Sequence, residues 1–378
     1  MNIDIPEYIK TLAPYVPGKP ISETKREFGL KKVVKLASNE NPLGPSPRAV
    51  RAYRNACKEL NLYPDSSAFD LKRGLAREHH LPDSWFLIGN GSNELMDLFM
   101  RSFCITGDEI VISEAAFIAY KVCAQVIGLK SIETPMTSDY RFDLTKMLNA
   151  IKSHERVKFV FVPNPNNPTG TWVTKEELDH FMSEVAKVRG GSVIVVLDYA
   201  YWEYVTDPKI PEPNQYLKKY PNVVVLRTFS KVYGIAGLRV GYAIAHPDLL
   251  GPVQKVRQPF NVNAPALAAA TEALKDRAFV KKSAMINRMG MKQWVKALGA
   301  LKIPFLPSQG NFILVNVNKG MGMWGNEVFQ ECLKKGVILR PVTNYGLPEF
   351  LRISIGTPAE NKTAIEALKS INASQGSK

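Results

Sequence analysis

Long apolar runs are missing from this 378-residue sequence. The longest, SVIVVL, has the length of a strand, so no segment reads as a membrane span. The opening MNIDIPEYIKTLAPYVPGKP lacks the apolar core of a secretion signal. Cysteine is scarce: Cys57, Cys104, Cys123 and Cys332 show no metal-ligand spacing and are expected to be reduced thiols of a cytoplasmic protein. There is no internal repeat, no helix-turn-helix pattern and no stripe of lysines alternating with aromatics. The net charge of +14 is therefore not read as a nucleic-acid surface. Its basic residues are scattered through KKVVK, LKKY, VKK and LKK beside apolar positions, as on solvated helix faces. A field of that sign also draws in small anionic substrates. Neither a nucleic acid nor a membrane is expected as a partner.

What is present is an alternation. The strand candidates WFLIG, EIVIS, KFVFV, SVIVVLD and NVVVLR are separated by helical segments such as SNELMDLFMRSF, FIAYKVCAQVIG and TKEELDHFMSEVAKV. Continuous β-branched runs between amphipathic helices describe a buried, mostly parallel sheet, hence an α/β fold. After about residue 260 the pattern changes to one long helical stretch, PALAAATEALKDRAFVKKSAMINRMGMKQWVKAL, followed by the shorter strands GNFILVNV, GVILR and FLRISI. The expected division is an irregular N-terminal arm over 1–45 that contributes to a small domain, a large domain over 46–260, and a smaller α+β domain over 261–378.

Chemistry-bearing residues cluster where strands end, which is where open α/β sheets place their ligands. GNGSNELMDL follows WFLIG. Gly89 and Gly91 permit close backbone approach, and Ser92 and Asn93 open a helix whose free N–H groups favour an anion. The stretch is a partial dinucleotide fingerprint, with Asp108 near the ribose-binding offset, but Glu94 occupies the third glycine position. VPNPNNPTG follows KFVFV as a proline-stiffened loop that can hold the amide of Asn167 in place. A very apolar strand ends in Asp198, a carboxylate that must be paired if buried, and Tyr201 lies three residues on. RTFSKVYGIAGLR then puts Lys231 among Thr228, Ser230 and Arg239 in a segment too rich in glycine for a good helix. A lysine, a carboxylate, an asparagine with a phenol, and an anion-binding set of hydroxyls, arginine and helix start make up the parts needed for pyridoxal 5′-phosphate.

With those residues in view, the sequence resembles the histidinol-phosphate aminotransferase family of the class I/II aminotransferases, from LASNENPLGPSP to LRISIGTPAEN. The resemblance implies a fold-type I pyridoxal-phosphate transferase. Lys231 would form the Schiff base and shuttle the proton, Asp198 would pair with the pyridine nitrogen, and Asn167 and Tyr201 would contact the phenolic oxygen. Gly91, Ser92, Asn93, Thr228, Ser230 and Arg239 would surround the phosphate, and Phe117 in SEAAFIAY, where many relatives have Pro-Thr before the aromatic, would stack on the ring. Tyr63 in NLYPDSS resembles the tyrosine that reaches the neighbouring subunit's cofactor, which implies a homodimer with shared active sites. Arg352 in FLRISIGTP matches the arginine that clamps the substrate carboxylate, Arg340 in GVILRPV the second arginine for a distal anion, and Tyr15 would line the pocket from the N-terminal arm. The activity implied is amino transfer between glutamate or 2-oxoglutarate and imidazole acetol phosphate or histidinol phosphate, in histidine biosynthesis. An aromatic-amino-acid aminotransferase, or a pyridoxal-phosphate decarboxylase of a phosphorylated amino acid, would use the same cofactor residues.

Overall fold

The computed structural model describes residues 3–13 and 18–375. Seven strands form the large sheet: β1 Phe86–Gly89, β2 Glu109–Ser113, β3 Lys130–Thr134, β4 Val157–Pro163, β5 Ile194–Asp198, β6 Val223–Thr228 and β7 Gly241–Ala245. Their spatial order is β1-β7-β6-β5-β4-β2-β3. Pairing is parallel from β6 through β3, and β7 lies antiparallel between β1 and β6. Two antiparallel contacts in succession restore direction, so Gly89, Pro163, Asp198 and Thr228 all fall at one edge of the sheet.

The reason for the sheet is in the residues. In β5 and β6 every position is buried, and such strands need apolar side chains on both faces. Each fully buried Val, Ile or Leu there contributes about 1.5–3 kcal/mol. β3 and β7 were not among the strands expected from sequence. KSIET is a mostly polar edge strand with only Thr134 buried, and GYAIA is short and opens on glycine.

The expected long helix after residue 260 is two helices, Ala264–Lys275 and Arg277–Ala300. The chain turns at Asp276, whose carboxylate caps the second helix by accepting from the Phe279 N–H at 3.2 Å. The first helix packs on Pro47–Ala56 and Phe69–His79 and buries Ala266, Ala269, Ala270 and Ala273 in the large core. The second core takes over only within the second helix, from Trp294 and Leu298 onward. That core is built on an antiparallel sheet containing β9 Phe312–Asn316 and β11 Phe350–Ser354, flanked by β8 Phe305–Leu306 and β10 Arg340–Pro341. The N-terminal segment joins it, because Val34–Lys35 pairs in parallel with Val337–Ile338 and Leu36 enters the core. This segment is also less irregular than expected, with a helix over Ile21–Phe28 ended by Gly29 at φ 64°.

Candidate active site

Strand register assembles the site. Pro163 lies beside Asp198, and the Asn164 N–H donates to the Asp198 carbonyl at 2.9 Å. Pro163 is thus the last residue of a central strand, where the sequence had suggested loop. Its missing N–H costs nothing there, because the next residue makes the bond. One strand over, Thr228 ends β6 opposite Gly241. Period-2 alternation turns Arg227 the other way, into a buried ion pair with Glu203 at 2.7 Å.

Beyond this edge lies a cavity of ≈ 280 Å³, at the small end of ligand sites. The large core supplies Ser92, Asn93, Phe117, Asn167, Asp198, Tyr201, Thr228, Ser230, Lys231 and Arg239 to its walls. Arg340 and Arg352 reach it from the second core. Of the other residues singled out from sequence, Gly91 makes room without lining it. Gly91 sits at φ 81°, and a β-carbon there would lie 2.4 Å from Arg239 Nη2. Tyr63 is elsewhere on this chain, 83% exposed and stacked on Phe260 with centroids 4.7 Å apart. Tyr15 lies outside the described residues.

At one end of the cavity the helix Ser92–Phe103 begins, with its free N–H groups beside Thr228, Ser230 and Arg239. Arg239 is held there by its Nη1, which donates to Ser230 Oγ at 3.4 Å and to the Ala236 carbonyl at 3.3 Å. Gly241 must be glycine, since a β-carbon would lie 2.7 Å from the Ser92 nitrogen. The set is neutral or cationic donors around a small space, which is what a phosphate dianion requires.

In the middle, Asp198 is buried, accepting the Tyr120 O–H at Oδ2 (2.7 Å) and the Ala200 N–H at Oδ1 (3.1 Å). Burial pushes its pKa up, and the bonds from Tyr120 and Ala200, with the charge of Lys231, act against that. Lys231 Nζ lies 3.5 Å from the Ser38 carbonyl and 5.5 Å from the centre of the Tyr201 ring. Burial first, then Arg352 and Arg239, bring the Lys231 amine down to about 8, with Glu40 and Asp198 opposing. An amine so placed is a nucleophile near neutral pH.

At the far side, Arg352 is buried and donates to Asn167 Oδ1 through Nη1 and to the Ala37 carbonyl through Nη2 (2.7 Å). The guanidinium is therefore aimed before any ligand arrives.

Sequence reasoning missed Tyr120, Asn39, Glu40 and Tyr345, which also line the cavity. Tyr120 had a signal, being one helical turn past Phe117, with the two rings edge to face at 5.7 Å. Asn39 and Glu40 lay inside the N-terminal arm read as irregular, in LASNENPLGPSP, where no single residue was given a role.

The loop after Lys231 offers a direct test of this packing. Gly234 has φ 71°, and a β-carbon on it would lie 2.0 Å from the Gly44 carbonyl oxygen, which is backbone and cannot swing away. Gly234→Ala is expected to lose about 3 kcal/mol or more of stability, measured by denaturant unfolding. A loss below about 0.5 kcal/mol would mean that the loop around Lys231 is not held this way.

A lysine, a paired carboxylate, an amide, a phenol and a phosphate-shaped donor set in one small cavity fit pyridoxal 5′-phosphate, and the comparisons with known proteins point the same way. Residues 31–368 match the family model described as aminotransferase class I and II. The chain is 45% identical over 364 residues to histidinol-phosphate aminotransferase of Anaeromyxobacter sp. (strain Fw109-5), covering 96% of this chain and 98% of that protein. It is 46% identical over 366 residues to histidinol-phosphate aminotransferase 1 of Cupriavidus pinatubonensis, covering 96% and 95%. The crystal structure of histidinol-phosphate aminotransferase from Sinorhizobium meliloti in complex with pyridoxal-5′-phosphate superposes with a TM-score of 0.88 at 27% identity, covering 98% of both chains. With its matched span taking in Asp198, Lys231, Arg239, Arg340 and Arg352 around the cavity, the chain belongs to the class I and II aminotransferases.

Proposed function

We propose that this protein is a histidinol-phosphate aminotransferase that uses pyridoxal 5′-phosphate, exchanging the amino group between glutamate or 2-oxoglutarate and imidazole acetol phosphate or histidinol phosphate in histidine biosynthesis. The observation that carries the reading is the placing of two separate anion sites across one cavity. Thr228, Ser230, Arg239 and the helix start at Ser92 make up one, the paired strand neighbours Arg352 and Arg340 the other, and Lys231 feels the charge of both Arg239 and Arg352. One phosphate belongs to the cofactor. The second site then takes the phosphate of histidinol phosphate in one half-reaction and a carboxylate of glutamate in the other.

The residues divide the work. Ser92, Asn93, Thr228, Ser230 and Arg239 would hold the cofactor phosphate, Asp198 its ring nitrogen, Asn167 and Tyr201 its phenolic oxygen, and Phe117 its ring face. Lys231 would hold it covalently. When bound, the cofactor supplies an electron sink for the pair released at the substrate Cα. Once displaced by the substrate amine, the freed Lys231 Nζ would take the Cα proton, and its depressed basicity would let it give that proton back. Arg352 fixes the substrate by a planar, two-pronged contact, so that the Cα–H bond faces Lys231.

A homodimer completes the proposal. Tyr63 is 83% exposed and has Leu60 and Leu62 exposed beside it, an apolar stretch suited to burial against a second copy. From there Tyr63 would reach the partner's cofactor phosphate. The cytoplasm is the compartment proposed, in keeping with four free thiols and no disulfide among the described residues. No helix of the described residues is long and apolar enough to cross a membrane.

The test is a single turnover without oxo acid, following the visible absorbance of the loaded enzyme as histidinol phosphate, glutamate or phenylalanine is added. Histidinol phosphate is expected to bleach it at concentrations at least about tenfold below phenylalanine. Arg352→Lys should weaken histidinol phosphate and glutamate together by roughly 10- to 100-fold, since lysine cannot make the paired contact. Equal use of phenylalanine would make the protein an aromatic-amino-acid aminotransferase instead.

A further inference from the structure

Asn39 has no role in the reading above, yet it occupies a demanding position. It is buried, and its backbone lies at φ 54°, the left-handed region that Asn tolerates better than most side chains but still at a cost. All four of its polar atoms have partners. Its N–H donates to Ser354 Oγ (2.8 Å), and the Ser354 hydroxyl donates back to Asn39 Oδ1 (2.8 Å). Its carbonyl accepts from Asn311 Nδ2 (3.0 Å), and its own Nδ2 donates to the Tyr201 hydroxyl oxygen (3.0 Å). Ser354 and Asn311 belong to the second core's side of the molecule, Ser354 on the strand that carries Arg352, whereas Tyr201 belongs to the large core.

The direction of these bonds has a chemical consequence. An amide nitrogen only donates. The Ser354 proton occupies Oδ1, which fixes the amide so that Nδ2 faces Tyr201. The Tyr201 oxygen is therefore an acceptor on that side, and its own proton is left for the cavity that its ring lines. A donor into a phenol oxygen also makes the phenol a stronger acid. Burial raises Tyr201 to about 12, and the Asn39 bond acts against that rise, after the larger effect of Arg352.

We propose that Asn39 is a positioning residue for Tyr201, turning the phenol proton into the cavity, strengthening it as a donor, and tying it to the strand that carries Arg352. The proposal rests on the cofactor reading, in which Tyr201 donates to the phenolic oxygen of pyridoxal phosphate. A stronger bond to that oxygen withdraws negative charge, so the nitrogen joining Lys231 to the cofactor loses its proton more readily. Removing Asn39 reverses this.

The experiment is a pH titration of the visible absorbance of the resting, cofactor-loaded enzyme, which requires no turnover. Asn39→Gly keeps the positive φ and deletes the amide, and its midpoint is expected to rise by about half a pH unit, the worth of one ordinary hydrogen bond. Ser354→Ala leaves the Asn39 side chain but frees it to rotate, and should move the midpoint in the same direction by less. Both shifts should vanish in a Tyr201→Phe background, because the effect passes through the phenol. An unchanged midpoint in Asn39→Gly overturns the proposal. So does an equal shift with and without the Tyr201 hydroxyl, which would mark Asn39 as structural only. If wild-type protein gives no visible cofactor absorbance, the cofactor reading and this proposal fall together, a result distinct from either of the others.

Discussion

Lys231→Ala is expected to lower amino transfer by about 10⁴-fold while the cofactor still binds, now without a covalent bond. The residue has two tasks, and alanine removes both. Among the described residues it is the only lysine lining the cavity, and its amine lies against the Ser38 carbonyl and the buried Tyr201 ring. The phosphate end does not depend on it, since Ser92, Thr228, Ser230 and Arg239 remain in place, which is why binding should outlast catalysis. Rates of single turnover, with equilibrium dialysis of the cofactor, separate the two effects. Full activity in the alanine variant would refute the mechanism.

The wild-type lysine carries a pH signature of its own. With the amine at about 8, protonated below that value and neutral above it, covalent capture of pyridoxal phosphate by the free protein should accelerate as pH rises toward 8. The slope should be about tenfold per unit below the midpoint, levelling off above it. Stopped-flow absorbance at a series of pH values reads this directly. A rate still climbing at pH 10 would mean that burial and the two arginines do not act on Lys231 as the geometry requires.

The second large effect is at Asp198. Asp198→Ala should lower amino transfer by about 10²- to 10³-fold, the range for losing one preorganised electrostatic contact. It should also destabilise the protein by about 1–3 kcal/mol, because the Tyr120 hydroxyl, fully buried, loses its acceptor. Asp198→Asn separates the two. The single amide oxygen can still accept from Tyr120, though no longer from the Ala200 N–H as well, so stability should be retained in part while activity stays low. Kinetics and thermal unfolding of both variants make the comparison. An alanine variant as active as the wild type would remove Asp198 from the cofactor's ring nitrogen.

Much of this site was legible in the sequence because it lies on strand ends. Asp198, Asn167 and Lys231 each follow an apolar run that could only be a buried strand, and parallel pairing carries those ends to one edge. What stayed hidden depends on contacts between distant segments. Tyr120 meets Asp198 across 78 residues, and Asn39 meets Tyr201 across 162, so no local pattern marks them. The break at Asp276 escaped because the residues on both sides favour helix and only the cap distinguishes the turn. β7 escaped because its antiparallel place between β1 and β6 is decided by tertiary pairing, whatever its short run suggests.

The bonds between Asn39 and Ser354 span 315 residues, nearly the length of the chain. On a ribosome adding about 5–20 residues per second, roughly 15–60 s separate the birth of one from the birth of the other. Through that interval the large sheet can already form, with Asp198 and Lys231 at its edge, while Leu36, Ala37 and Asn39 wait for the strand that will receive them. The nascent protein thus owns half an active site before it owns the means to close it, and the arrival of the strand that carries Arg352 and Ser354 is the step that makes it an enzyme.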